Sequence, residues 1–162
     1  MDDQPDGGLL EVRPPAVDDL VRIVAALEAA GARYVLIGGF AVISHGFART
    51  TKDIDLLVDP APENVERIKH ALSILEDNAA AGIDPEDLTR YSVIRVADEV
   101  MVDLLASACG VTWREAAATA ERFEVRGQTI LVADPRTLIA TKSTSRPADA
   151  LDCEFLERLL TE

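Results

Sequence analysis

The chain has 162 residues, and its 16 basic against 29 acidic side chains leave a formal net charge of -13. With 48% hydrophobic and 28% charged residues, it has the composition of one globular domain that buries roughly 70% of its unfolded surface, which excludes whole-chain disorder. No apolar run approaches the roughly 18 residues of a membrane span, and Met1-Asp2-Asp3-Gln4 lacks the basic and apolar start of a signal peptide, so a cytoplasmic protein without membrane contact is expected.

Residues 1–15 combine acids with Gly7-Gly8 and Pro14-Pro15, which predicts a mobile acidic leader ahead of a single domain over 16–162. Val17, Leu20, Val21, Val24 and Leu27 recur at helical spacing, and Gly31 stands at the C-terminal cap position. Tyr34 to Ile37 reads as a short buried strand entering Gly38-Gly39, after which Phe40 to His45 forms a short helix stopped by Gly46. Asp53 to Val58 is a second strand ended by Pro60, and Val65, Ile68, Leu72 and Leu75 mark the inner face of the next helix. Residues 78–90 read as loop with a helical turn. Tyr91–Val96 and Glu99–Leu105 are predicted strands joined around Ala97-Asp98. A helix near Thr112–Ala120 follows, then a hairpin around Arg126-Gly127-Gln128 and two helices over 135–144 and 147–160. The pattern is α/β (α+β), a mixed β-sheet packed by helices. Cys109 and Cys153 have neither metal-ligand nor disulfide spacing and are expected to be reduced thiols serving as small hydrophobes.

The residue types that carry chemistry cluster around the second strand. Positions two apart on a strand share a face about 6.6 Å apart, so Asp53 and Asp55 present two carboxylates side by side while Ile54, Leu56 and Val58 face the core. Two such anions about 6 Å apart repel by nearly 3 kcal/mol at an effective dielectric of about 20, a penalty that a dication removes. If the strand of Val102-Asp103-Leu104 lies beside them, Asp103 supplies a third hard oxygen ligand, a set that favours Mg²⁺ over zinc. Gly38-Gly39 at a strand-to-helix turn lets backbone N–H groups approach a phosphate, although a Gly-Gly pair alone is more often just a tight turn. Lys142 and Asp149 each admit two roles, complementing a helix dipole or lining a site. His45 reads as a helix-end residue, His70 as solvent-facing, and Trp113, the single Trp, gives no stacking platform.

Taken in order, Gly38-Gly39, Asp53-x-Asp55 and Asp103 resemble the signature of nucleotidyltransferases of the DNA polymerase beta superfamily. More narrowly, Ile37-Gly38-Gly39-Phe40-Ala41, His45-Gly46 and Arg49-x-Thr51-x-Asp53-x-Asp55 look like the AbiEii branch, which includes toxins of toxin–antitoxin systems and the MenT enzymes. Lys142 with Arg146-Pro147-x-Asp149-x-x-Asp152 is similar to that branch's second motif, although Lys-Ser-Thr-Ser-Arg replaces the Ala-Gly step usual before the Arg. The chain also ends soon after Asp152, where many members continue.

The resemblance implies a nucleotidyltransferase domain. Its acceptor hydroxyl attacks the α-phosphate of an NTP, possibilities including ATP, and pyrophosphate leaves. Asp53, Asp55 and Asp103 would bind Mg²⁺ or Mn²⁺, and catalysis would rest on these three with Lys142. Gly38, Gly39, Arg49, Thr51, Lys142, Arg146 and Asp149 would line the nucleotide site. The implied partners are an RNA acceptor such as tRNA and a cognate antitoxin. Two alternatives stay open, a small-molecule nucleotidyltransferase of the antibiotic-modifying kind and a catalytically silent nucleotide-binding module. An RNA acceptor would have to dock where Arg122, Arg126, Arg136, Lys142 and Arg146 gather, because the chain as a whole repels polyanions.

Overall fold

The computed structural model describes residues 12–162. In chain order the elements are α1 (Val17–Ala29), β1 (Tyr34–Ile37), α2 (Gly38–Ser44), β2 (Asp53–Val58), α3 (Pro62–Leu72), a 3-10 turn (Ala79–Gly82), α4 (Asp87–Arg90), β3 (Val93–Ala97) and β4 (Met101–Leu105), followed by β5 (Ser107–Ala108), β6 (Val111–Thr112), α5 (Trp113–Thr119), β7 (Glu121–Val125), β8 (Gln128–Val132), α6 (Pro135–Thr141) and α7 (Pro147–Leu160). Six strands form one mixed sheet in the order β3-β4-β2-β1-β8-β7. The helices pack around it: α1 touches α3 and β8, α5 touches β1 and β2, and α6 lies on α7.

The core follows from strand alternation. Ile54, Leu56 and Val58 are fully buried on one face of β2, as are Val102 and Leu104 on the matching face of β4, because side chains two apart share a face. On the opposite face of β2, Leu57 is fully buried while Asp53 and Asp55 are only partly so. That face therefore changes from apolar to acidic toward the N-terminal end of the strand.

The predicted leader falls outside the described residues as far as residue 11. Beyond it, Arg13 binds both carboxylate oxygens of Asp19, each at 2.7 Å. Among the described residues no helix is long and apolar enough to cross a membrane.

Three expectations need correction. The last-but-one helix ends at Thr141, not at 144, because Lys142 leaves helical geometry at φ -114. A two-stranded ribbon, β5 with β6, stands where no strand was expected. Its connection is Cys109-Gly110, with φ of +48 and +84, the pair of left-handed residues that a tight hairpin turn demands. Cys109 is accordingly exposed, not a core hydrophobe. Cys153 is half-buried, and burial pushes its thiol pKa up.

Asp98 fixes the hairpin that carries Asp103. Its carboxylate is 2% exposed and accepts the backbone N–H groups of Asp77 at 2.9 Å, Ala79 at 2.8 Å and Glu99 at 2.7 Å. Asp98→Ala strands these donors and is expected to cost about 3 kcal/mol in a urea titration. Asp98→Asn, which keeps one acceptor oxygen, is expected to cost less. Equal losses in the two variants would mean that the charge, not the acceptor geometry, holds the turn.

Candidate active site

Sheet register brings the predicted acids together. β2 and β4 are parallel neighbours with Asp55 opposite Asp103, β3 sets Arg95 opposite Asp103, and β1 sets Ile37 opposite Asp55. Residues paired across strands project to the same side. Arg95, Asp103, Asp55 and Ile37 thus form one row across four strands, with Asp53 two residues along from Asp55. One carboxylate oxygen from each of Asp53, Asp55 and Asp103 lies within 4.8 Å of the others.

The two glycines next to this row are constrained by it. Gly38 has φ +75, and a Cβ there would collide with the Asp55 carboxylate; a Cβ on Gly39 would collide with Thr51 Oγ1. On sequence grounds these glycines serve the close approach of backbone N–H groups to a phosphate. The structure adds a second need, that Asp55 and Thr51 seat directly against the turn. The Thr51 hydroxyl donates to the Asp53 carbonyl at 3.1 Å, which ties the loop after α2 to the start of β2.

The acids form the floor of a cleft of about 520 Å³. Lys142, Thr144, Arg146 and Asp149 line it on the side of α6 and α7, and Val93, Leu105 and Ala108 supply apolar surface. Lys142 Nζ is buried, 3.0 Å from Asp152 and 3.6 Å from Asp149. Arg146 holds both oxygens of Asp149, at 2.9 and 3.1 Å, and the Thr144 hydroxyl donates to the same carboxylate. Burial works to raise the pKa of Asp149, but Arg146, Thr144 and Lys142 together keep it below the usual carboxylate range. Arg49 crosses from the loop after α2 to pair with Asp152. Among the described residues, Asp152 Oδ1 is the buried side-chain oxygen left without a hydrogen-bond partner.

Every predicted site residue therefore lines this cleft, while Asp152 lies just behind the wall, holding Lys142 and Arg49. His45 is a helix-end residue whose Nε2 lies 2.9 Å from the Ala133 carbonyl. The five cations expected to gather for RNA do not form one patch. Lys142 and Arg146 line the acidic cleft and Arg136 lines a separate depression beside Cys109. Arg126 sits at the β7–β8 turn, paired with Asp18. Their positions follow from the elements that carry them: Arg122 on β7, Arg126 at the β7–β8 turn, Arg136 in the first turn of α6, Lys142 at its C-terminal end and Arg146 at the N-terminal end of α7.

Sequence reasoning missed Arg95, which binds both oxygens of Asp103 at 2.9 Å each. The signal was available, since a hairpin turn at Asp98 to Val100 pairs position 95 with 103.

The cluster fits a hard divalent cation, because three oxygen donors converge and repel one another. Burial, reinforced by the charges of Asp53 and Asp103, pushes the Asp55 pKa up to about 8. Without metal, folded Asp55 then holds a proton that the unfolded chain has lost between about pH 4 and about pH 8. Its contribution to stability falls as pH rises through that window. Chelator-treated protein is expected to melt at a higher temperature at pH 5.5 than at pH 8 by a margin that shrinks in Asp55→Asn. Mg²⁺ should raise the melting temperature more at pH 8 than at pH 5.5, because the proton that competes for the Asp55 oxygen is by then about half lost. An unchanged pH dependence in Asp55→Asn would remove Asp55 as the titrating group.

Residues 19–147 match the sequence model of the family described as "Nucleotidyl transferase AbiEii toxin, Type IV TA system". Among solved structures, a candidate nucleotidyltransferase from Thermotoga maritima is similar with a TM-score of 0.55 and 15% identity, over 93% of this chain and 95% of that one. At that identity the likeness is one of fold. No curated protein matches the chain.

Proposed function

The chain belongs to the AbiEii nucleotidyltransferase toxin family, and from that premise we propose that it moves an NMP from an NTP to an acceptor hydroxyl, with a divalent cation held by Asp53, Asp55 and Asp103. The observation that carries this reading is the row of carboxylates on β2 and β4 facing Lys142 and Arg146 across one cleft. The cation would neutralise the carboxylates and the triphosphate and polarise the α-phosphate. Asp103 accepts the proton of the acceptor hydroxyl as its oxygen bonds to the α-phosphorus and the bond to the β-phosphate breaks. Lys142 and Arg146 stand where charge grows on the leaving pyrophosphate. The Gly38-Gly39 turn and Arg49 border the same space. Arg49, Thr51 and Asp149 contribute chiefly by holding the loop and the cations in place.

The preferred acceptor is RNA, tRNA foremost, which rests on the resemblance of the motifs to the toxin branch; a toxin checked by an antitoxin is in line with the family description. A small-molecule acceptor is the second reading. The scattering of the surface cations and the net charge of -13 favour it.

Incubation with α-labelled NTPs, Mg²⁺ and total bacterial RNA is expected to label RNA. Labelling should fall steeply with salt, by roughly one unit of log-log slope per phosphate contact, and with Arg146→Ala. If RNA stays unlabelled with all four NTPs while an aminoglycoside or lincosamide takes the label, the tRNA assignment is wrong and the transfer chemistry stands. If no acceptor takes label and no pyrophosphate appears, the silent binding module gains.

A further inference from the structure

We propose that Arg95 is a displaceable counter-ion of the acidic cluster, which must release Asp103 before that carboxylate can hold a divalent cation. The inference rests on the metal-dependent reading of the site. Arg95 Nε and Nη2 occupy both oxygens of Asp103 at 2.9 Å each, and Nη2 also lies 3.7 Å from Asp53 Oδ2. One guanidinium therefore spans two of the three carboxylates. A cation bound among oxygens within 4.8 Å of one another would share both Asp103 oxygens with the guanidinium and stand within a few ångströms of that like charge, which opposes its binding.

The surroundings make displacement the expected response. Lys142, whose charge also reaches Asp55, is buried and fixed between Asp149 and Asp152, so it cannot move without uncovering two buried anions, and Arg146 is tied to Asp149 by two bonds. The Arg95 side chain is 60% exposed and stands on β3, an edge strand of the sheet. The pair is exposed only at its Arg95 end, Asp103 being buried, so the guanidinium can leave into water at little desolvation cost, while a dication among three carboxylates replaces its charge twice over. Arg95 thus partly neutralises the empty cluster and yields to an ion of higher charge.

The rival role is a permanent clamp that orients Asp103 for the metal, and it predicts the opposite sign. Full-length protein stripped with a chelator is titrated with Mn²⁺ alone, free Mn²⁺ being read by electron paramagnetic resonance, with Asp53→Asn as the control for binding at the cluster. Arg95→Gln is expected to bind Mn²⁺ about tenfold more tightly than the wild type. Arg95→Lys, which keeps the charge but not the two-pronged bond, should fall between them and provides the comparison should Arg95→Gln fold poorly. Unchanged or weaker binding by the variants, with wild-type binding intact and lost in Asp53→Asn, overturns the displaceable counter-ion and leaves the metal site standing. If neither wild type nor variant binds Mn²⁺, the metal-dependent reading itself fails and this inference with it.

Discussion

Asp55→Asn is expected to lower nucleotidyl transfer by about a thousandfold while raising the melting temperature of the metal-free protein at pH 8. The two effects have one cause. Carboxylate oxygens within 4.8 Å of one another repel by roughly 3 kcal/mol per pair at an effective dielectric of about 20. Arg95 and Lys142 offset part of that, yet Asp55 remains the group whose pKa is pushed up to about 8. An amide of the same shape still fits beneath Gly38, so the fold survives and the repulsion is relieved. What the amide cannot do is donate an anionic oxygen to a dication. A fall in activity joined to a gain in stability marks a side chain kept for chemistry at the expense of the fold. A variant that transfers label at the wild-type rate would remove Asp55 from the metal set, and one that melts lower would show that the carboxylate is satisfied by the protein itself.

Which parts of this site the sequence could reveal follows from the range of the interactions involved. β1 and β2 were legible to the residue because each is a short apolar run with a sharp stop, Gly38 in one case and Pro60 after the other. Asp53 and Asp55 were legible because strand alternation alone puts them on one face. Asp103 required knowing that β4 is the neighbour of β2, a non-local pairing that residue pattern does not supply, and only the motif order pointed to it. Arg95 was passed over because a cation on an edge strand reads as an ordinary solvated residue. Its meaning appears only when the hairpin is paired. The β5–β6 ribbon escaped because two-residue strands carry no periodicity. The second motif was ambiguous for another reason. A cation ending one helix and an anion starting the next satisfy helix dipoles by themselves, and nothing local reveals that Lys142, Asp149 and Asp152 are buried together.

That buried cluster gives the second large effect: Lys142→Met is expected to cost about 3–5 kcal/mol of stability. Lys142 is 7% exposed, and its partners Asp149 and Asp152 are 2% and 1% exposed. Asp149 would still have Arg146 and Thr144. Asp152 would keep Arg49 alone, with its Oδ1 already unpartnered, and an under-compensated buried anion is the expensive outcome. The double variant Lys142→Met with Asp152→Asn removes one charge of each sign and should recover most of the loss. Activity separates the two roles that sequence alone left open for Lys142. If the ammonium only balances Asp152, transfer should recover with stability in the double variant. If it also meets the phosphates, the double variant should melt near the wild type and still bind nucleotide at least about tenfold more weakly, because among the described residues no other buried cation lines the cleft.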